Sequence, residues 1–154
     1  MMRTPIRAVL ILAVLLLPGC DPLYTLGVRT KLSPAPASSC IEAALRASPG
    51  RTVHRSSGSD STGFLIGMNG GAPGGPWNAA LQVDRARDST QVLSLQYWWM
   101  GTARTRPLTD QRQMVADGAA LLTAIRAACA PASAAPIECY ARGLDGSPAC
   151  RPPA

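Results

Sequence analysis

Residues 91–100 read Gln91-Val92-Leu93-Ser94-Leu95-Gln96-Tyr97-Trp98-Trp99-Met100. Large apolar side chains at Leu93, Leu95, Tyr97 and Trp99 alternate with Val92, Ser94, Gln96 and Trp98. A period of two is the pattern of a strand with one buried face. This is the strongest strand in the chain, and its neighbours upstream show the same period. Ala79, Leu81 and Val83 alternate with Ala80, Gln82 and Asp84; Phe64, Ile66 and Met68 alternate with Leu65 and Gly67; Thr52-Val53-His54-Arg55 is a shorter candidate. Turn residues separate them: Ser56 to Ser61, Asn69 to Pro76 and Asp88-Ser89. Connections this short join antiparallel neighbours, so the spacing predicts a four-stranded meander over Arg51 to Gly101.

Helical periodicity flanks the meander. Ser39 and Glu42 have the spacing of a capping box, followed by Ile41, Ala44, Leu45 and Ala47 toward one side, with Ser48-Pro49-Gly50 as the stop. Downstream, Thr109 or Asp110 is the expected cap of a second helix. Its residues Met114, Gly118, Leu121, Leu122, Ile125, Ala128 and Cys129 fall on about a third of the circumference. Two amphipathic helices can cover one face of a sheet. The expected class is therefore α+β: helix, four antiparallel strands, helix, with both helices on the same face.

The expected domain occupies residues 39–131. Residues 20–38 read as a tether, in which Tyr24, Leu26 and Val28 alternate with Thr25, Gly27 and Arg29 as a possible short strand before Ser33-Pro34-Ala35-Pro36. Residues 132–154 read as a tail rich in Pro and Ala, with little to bury.

There are five cysteines. Cys40 and Cys129 both sit on the apolar side of a predicted helix, so they are the expected pair. Cys139 and Cys150 would then close a small loop in the tail. No Cys-x-x-Cys occurs, which removes support for thioredoxin-type redox chemistry and for zinc fingers.

Cys20 is left over, and its context is distinctive. Arg3 and Arg7 precede an unbroken apolar run, Ala8 to Leu17, and then Leu17-Pro18-Gly19-Cys20. A run of about ten residues is ~15 Å long as a helix, half of a ~30 Å hydrocarbon core. This is the build of an export signal. Residues 17–20 resemble the lipobox of bacterial prolipoproteins, with Pro18 where Ala, Ser or Thr is commoner. The resemblance covers only Met1 to Cys20. It implies that residues 1–19 are a signal peptide, that the chain is cut before Cys20, and that Cys20 is acylated and becomes the first mature residue. It further implies a place in the cell envelope, lipid-anchored and facing the periplasm, with the choice of inner or outer membrane open.

The formal charge is +6, falling to +4 without Arg3 and Arg7, and Lys31 is the only lysine. A mild surplus with no basic run argues against nucleic-acid partners. His54 is the only histidine, which excludes imidazole-rich metal sites and leaves Ser-His-Asp catalysis one base. No Gly-x-Ser-x-Gly elbow is present. Gly70 to Gly75 matches neither phosphate-loop pattern. The acids Asp60, Asp84, Asp88, Asp110, Asp117, Glu138 and Asp145 show no pairing for acid–base or calcium chemistry. No catalytic residue, metal or cofactor is implied.

The candidate binding surface is Trp98, with Met100, on the sheet face away from the helices. Arg85, Arg87, Arg104 and Arg106 are possible additions. That face is covered by the tail, is an ordinary half-exposed sheet, or binds an envelope protein, glycan or lipid. The expected function is a binding or accessory lipoprotein module. An envelope enzyme or inhibitor-type regulator, and a structural subunit of an assembly, are the alternatives.

Overall fold

The computed structural model describes residues 24–49, 51–57, 62–68, 78–85, 90–99, 107–142 and 148–150. The signal-like segment, Cys20, Met100, Arg87, Arg104, Arg106, the glycine-rich loop, Asp60, Asp88 and Asp145 lie outside these residues.

In chain order the elements are β1 (Tyr24–Leu32), α1 (Ser38–Arg46), β2 (Arg51–Ser57), β3 (Thr62–Met68), β4 (Asn78–Arg85), β5 (Gln91–Trp99), α2 (Leu108–Cys129) and β6 (Glu138–Arg142). A 3-10 turn, Pro148–Cys150, follows. The class is α+β, and every strand pair is antiparallel. The expected meander β2-β3-β4-β5 is present, but the sheet has six strands, in the order β2-β3-β4-β5-β1-β6.

The two additional strands come from the segments read as tether and tail. β1 is an inner strand of nine residues, paired with β5 from Tyr24↔Trp99 to Leu32↔Gln91. Its alternate positions Leu26, Val28 and Leu32 are fully buried. Each contributes roughly 2 kcal/mol of apolar burial, which an isolated tether would forgo. β6 pairs with the outer side of β1, from Arg29↔Glu138 to Thr25↔Arg142. β5 and β6 therefore run parallel with β1 between them, and α2 is the crossover that joins them.

One core forms between the sheet and the helices. It contains Val53, Phe64, Ile66, Ala79, Leu81, Val83, Leu93, Leu95 and Tyr97 with Ile41 and Leu45 of α1 and Met114, Leu121, Leu122 and Ile125 of α2. α2 packs over β1 and β5, while α1 packs on α2 and β2. Gly118 sets how closely α2 approaches. A Cβ there would lie 2.8 Å from Val28 Cγ2 and 3.2 Å from both Leu95 Cδ2 and the Tyr97 hydroxyl. Ala47 and Ala128, expected on apolar arcs, are exposed instead.

The expected caps are absent. α1 starts two residues earlier than its capping box requires, with Ala37 rather than Ser39 at the N-cap and no side-chain cap. The Ala37 carbonyl accepts from the Cys40 and Ile41 amides at 3.0 and 3.3 Å. Glu42 instead accepts from Arg46 at 2.8 Å and faces Arg55 at 3.7 Å. α2 likewise begins from Pro107 without a side-chain cap. Asp110 in its first turn complements the helix dipole.

Two disulfides staple the domain. Cys40–Cys129 ties the start of α1 to the end of α2 across 89 residues, and Cys139–Cys150 ties β6 to the 3-10 turn. That turn inserts Ala149 into the core. The tail thus has something to bury after all.

Candidate functional site

The sheet face opposite the helices is lined by short or polar side chains. Arg29, Lys31, Thr52, His54, Leu65 and Gln82 are exposed on it, with Val92, Ser94 and Gln96 half-buried. Leu65, 48 % exposed, is its largest exposed apolar residue among the described ones. At the β1–β6 end this face acquires relief. A cleft of about 350 Å³ is lined by Arg29, Thr30, Lys31, Val92, Ala135, Pro136 and Glu138.

The walls of the cleft are fixed from several directions. On one side β1 presents Arg29 and Lys31 by strand alternation. On the other runs the segment between α2 and β6, which is strapped to its surroundings by hydrogen bonds. The Thr30 hydroxyl, buried at 3 % exposure, donates to the Pro136 carbonyl at 3.1 Å. The Arg126 guanidinium donates to the Ala135 carbonyl at 2.7 Å, and the Ser133 hydroxyl donates to the Lys31 carbonyl at 3.0 Å. Satisfying these carbonyls locally lets a segment without regular structure lie against the sheet.

Charge is concentrated at the mouth. Arg29 Nε donates to Glu138 Oε2 at 2.9 Å, directly across the β1–β6 ladder. Both side chains are about half exposed, so the pair orients the groups more than it stabilises the fold. The Arg29 guanidinium also sits 5.8 Å from the centre of the Tyr140 ring, within range of a cation–π attraction. Tyr140 in turn lies over Gly27: a Cβ on Gly27 would come within 2.7 Å of Tyr140 Cζ and 2.6 Å of the Leu95 carbonyl oxygen. The glycine is what allows the ring to cover the strand, an arrangement used to protect glycines in sheets. Gly27, Arg29, Glu138 and Tyr140 therefore form one constellation on neighbouring strands.

Of the candidates read from sequence, Trp98 has a described backbone, opposite Thr25 on β1 and Asn78 on β4. Its side chain and Met100 lie outside the described residues. Arg85 does not join Trp98: it pairs with Gln91, at the other end of β4 and β5. His54 is exposed on the edge strand β2. Asp84 accepts from Gln82 at 3.0 Å, and Asp117 accepts from Gln113 at 2.8 Å, each within its own element. Among the described residues no group of three potential metal ligands comes together. None of their helices is long and apolar enough to cross a membrane. The core holds two polar groups of note. Burial pushes the Tyr97 hydroxyl well above its ordinary pKa. Gln91, 2 % exposed, has an Oε1 that accepts no hydrogen bond.

The cleft residues were not singled out by sequence because they lie on segments read as linkers. One signal was available: in 138–142, Cys139 and Ala141 alternate with Glu138, Tyr140 and Arg142, the period of a short strand. Comparison with protein-family models, with curated proteins and with solved structures finds no match to this chain.

Proposed function

We propose that this chain is a cell-envelope lipoprotein of bacterial type, anchored through acyl chains on Cys20, whose folded domain is a binding or accessory module facing the periplasm. The observation that carries the reading is the cysteine arithmetic. Cys40 pairs with Cys129 and Cys139 with Cys150, so the fifth cysteine, Cys20, has no cysteine left to bond within the chain. It is also the cysteine that follows the signal-like run and the lipobox-like Leu17-Pro18-Gly19. Disulfides persist in oxidising compartments, which agrees with export. Two or more acyl chains give stable attachment at ~0.8 kcal/mol per buried CH₂.

For the domain, the cleft beside Arg29, Lys31 and Glu138 supports binding. Its position on a rigid sheet and strapped segment suits a preformed recognition surface of mixed charge. The partner class that fits is another envelope component with both acidic and basic groups. Mass spectrometry of the purified mature N-terminus tests the anchor. The expected product begins at an acylated Cys20, and Cys20→Ala leaves the membrane fraction. An unmodified chain retaining residues 1–19 refutes it. Crosslinking in intact cells tests the module reading. The expected adduct involves the Arg29 side of the sheet and is lost in Arg29→Ala/Glu138→Ala; unchanged adducts remove the cleft from the function.

A further inference from the structure

Resting on the proposed anchor at Cys20, we infer that the end of the sheet where β1 begins lies in the headgroup layer of the membrane. This rim is built from Tyr24, Trp98, Trp99, Arg142, Arg51 and Met68.

The topology brings these residues together although they are scattered in sequence. Tyr24 opens β1 and is opposite Trp99, the last residue of β5; the next pair is Thr25 and Trp98. Thr25 is also opposite Arg142, the last residue of β6. Across the sheet, Trp98 is opposite Asn78 at the start of β4, and Arg51 at the start of β2 is opposite Met68 at the end of β3. One end of a six-stranded sheet therefore gathers aromatic residues and cations. No acid stands at these register positions. The described positions at the other end, Leu32, Gln91, Arg85, Thr62 and Ser57, include no aromatic residue.

Chain length then fixes which end meets the bilayer. Four residue steps separate Cys20 from Tyr24, a reach of at most about 14 Å. The interfacial layers add about 5–8 Å to each side of the hydrocarbon core. An acylated Cys20 therefore keeps the Tyr24 end of β1 within about 14 Å of the lipidated sulfur, inside the headgroup layer on any but the most extended path of residues 21–23. Trp and Tyr have an apolar body with a polar edge, and they favour this layer. Arginines are attracted to anionic headgroups there. Reach, composition and charge select the same occupant, an anionic lipid surface.

This orientation sets the height of the cleft. Arg29 is five residues along β1 from Tyr24, about 17 Å at the strand rise, so the cleft faces the aqueous side at a fixed distance from the membrane.

The test uses the lipidated full-length protein in vesicles of zwitterionic and anionic phospholipid. One set carries lipid brominated near the headgroup end of the acyl chain and another carries lipid brominated near the terminal methyl. Tryptophan emission is the readout. The expected result is strong quenching by the shallow bromines and weak quenching by the deep ones. With Trp77→Phe throughout, Trp98 and Trp99 are the two emitters, and Trp98→Phe or Trp99→Phe alone should keep the same shallow preference in the tryptophan that remains while both disulfides and vesicle attachment persist. Anchored protein with unquenched emission overturns the rim inference and leaves the lipoprotein reading intact; the rim then faces water or a protein partner. A remaining Trp98 or Trp99 quenched more by the deep bromines than by the shallow ones also overturns it. Protein that carries no acyl group and does not attach to vesicles overturns both.

Discussion

Gly118→Ala should destabilise this protein, although alanine is the better helix former. In a helix interior Ala is favoured over Gly by about 1 kcal/mol, so on propensity alone the substitution in α2 would stabilise. The structure reverses the sign. The added methyl would sit 2.8 Å from Val28 Cγ2, with Leu95 Cδ2 and the Tyr97 hydroxyl at 3.2 Å. Val28 is 1 % exposed on an inner strand and is stiff at χ1, so its methyl cannot swing away. Displacing α2 instead would loosen Leu121, Leu122 and Ile125 beyond it. Overpacking of this kind costs about 1–3 kcal/mol, which, less the propensity gain of about 1 kcal/mol, leaves a net loss of up to ~2 kcal/mol.

The cause can be isolated with a second substitution. Val28→Ala removes the clashing methyl at a loss of about 2 kcal/mol from transfer and cavity. In that background Gly118→Ala should become neutral or stabilising by up to ~1 kcal/mol, because only the propensity term and two soft contacts remain. The coupling between the sites is then about 2 kcal/mol, well above the ~0.5 kcal/mol expected of independent positions. Urea unfolding followed by far-ultraviolet circular dichroism, with both disulfides intact, measures all four corners of the cycle. Additive effects, or a stabilising Gly118→Ala in the otherwise unchanged chain, would refute the claim that this glycine sets the helix-to-sheet distance.

Three further outcomes follow from the same packing. In the chain-entropy model Cys40→Ala/Cys129→Ala should lower stability by about 4–5 kcal/mol and Cys139→Ala/Cys150→Ala by about 3 kcal/mol; urea midpoints check the order, which fails if the shorter loop matters more. Gly27→Ala should cost at least ~2 kcal/mol, and Tyr140→Ala should not rescue it, because the Leu95 backbone carbonyl at 2.6 Å stays in place; a full rescue in the double variant would assign the clash to the ring alone. The third concerns alkaline pH. Burial raises the pKa of Tyr97 in the folded state, so the stability tied to its neutral hydroxyl is fully present below the unfolded value of about 10 and is lost as pH rises through the folded value. Between those points the loss should approach ~1.4 kcal/mol per pH unit, and Tyr97→Phe should flatten the profile of urea midpoint against pH above ~10; an unchanged slope in that variant would assign the alkaline sensitivity elsewhere.

Much of the architecture was legible from alternation alone. Phe64 and Ile66, Ala79 to Val83, and Leu93 to Tyr97 lie on the expected face, and the two cysteine-bearing helices are joined as expected. The errors share a physical origin. β1 carries Gly27, Arg29, Thr30 and Lys31 among its apolar positions, and a polar Thr30 on the buried side breaks the period where Leu32 would extend it. Thr30 is tolerated there because its hydroxyl donates to Pro136, more than a hundred residues away, which no local pattern reveals. β6 has five residues, too few to stand out, and is held by its backbone ladder to β1 and by the Cys139–Cys150 disulfide rather than by a hydrophobic run. The capping box failed differently. Glu42 is recruited by Arg46 and Arg55, and the competing partner on β2 becomes visible only once the sheet is assembled.

These errors bear on function because they concern the residues nearest Cys20. A tether of some nineteen residues would let a domain wander ~24 Å from its anchor as a flexible coil. With β1 beginning at Tyr24, only Asp21, Pro22 and Leu23 separate an acylated Cys20 from an inner strand of the sheet. The strand next to the proposed anchor is also the one that carries Arg29 and Lys31, pairs with β6 and forms one wall of the cleft. From Tyr24 onward the path toward the cleft is a single hydrogen-bonded strand. Were Cys20 acylated as proposed, a partner that uses the cleft would have to come close to the membrane surface, because three intervening residues give the domain little reach. Inserting a flexible segment between Cys20 and Tyr24 should therefore leave the fold and the lipid attachment unchanged while weakening capture of a membrane-bound partner, and crosslinking in cells would show the adduct falling as the insert lengthens. An adduct indifferent to insert length would mean that the height of the cleft above the bilayer has no part in its use.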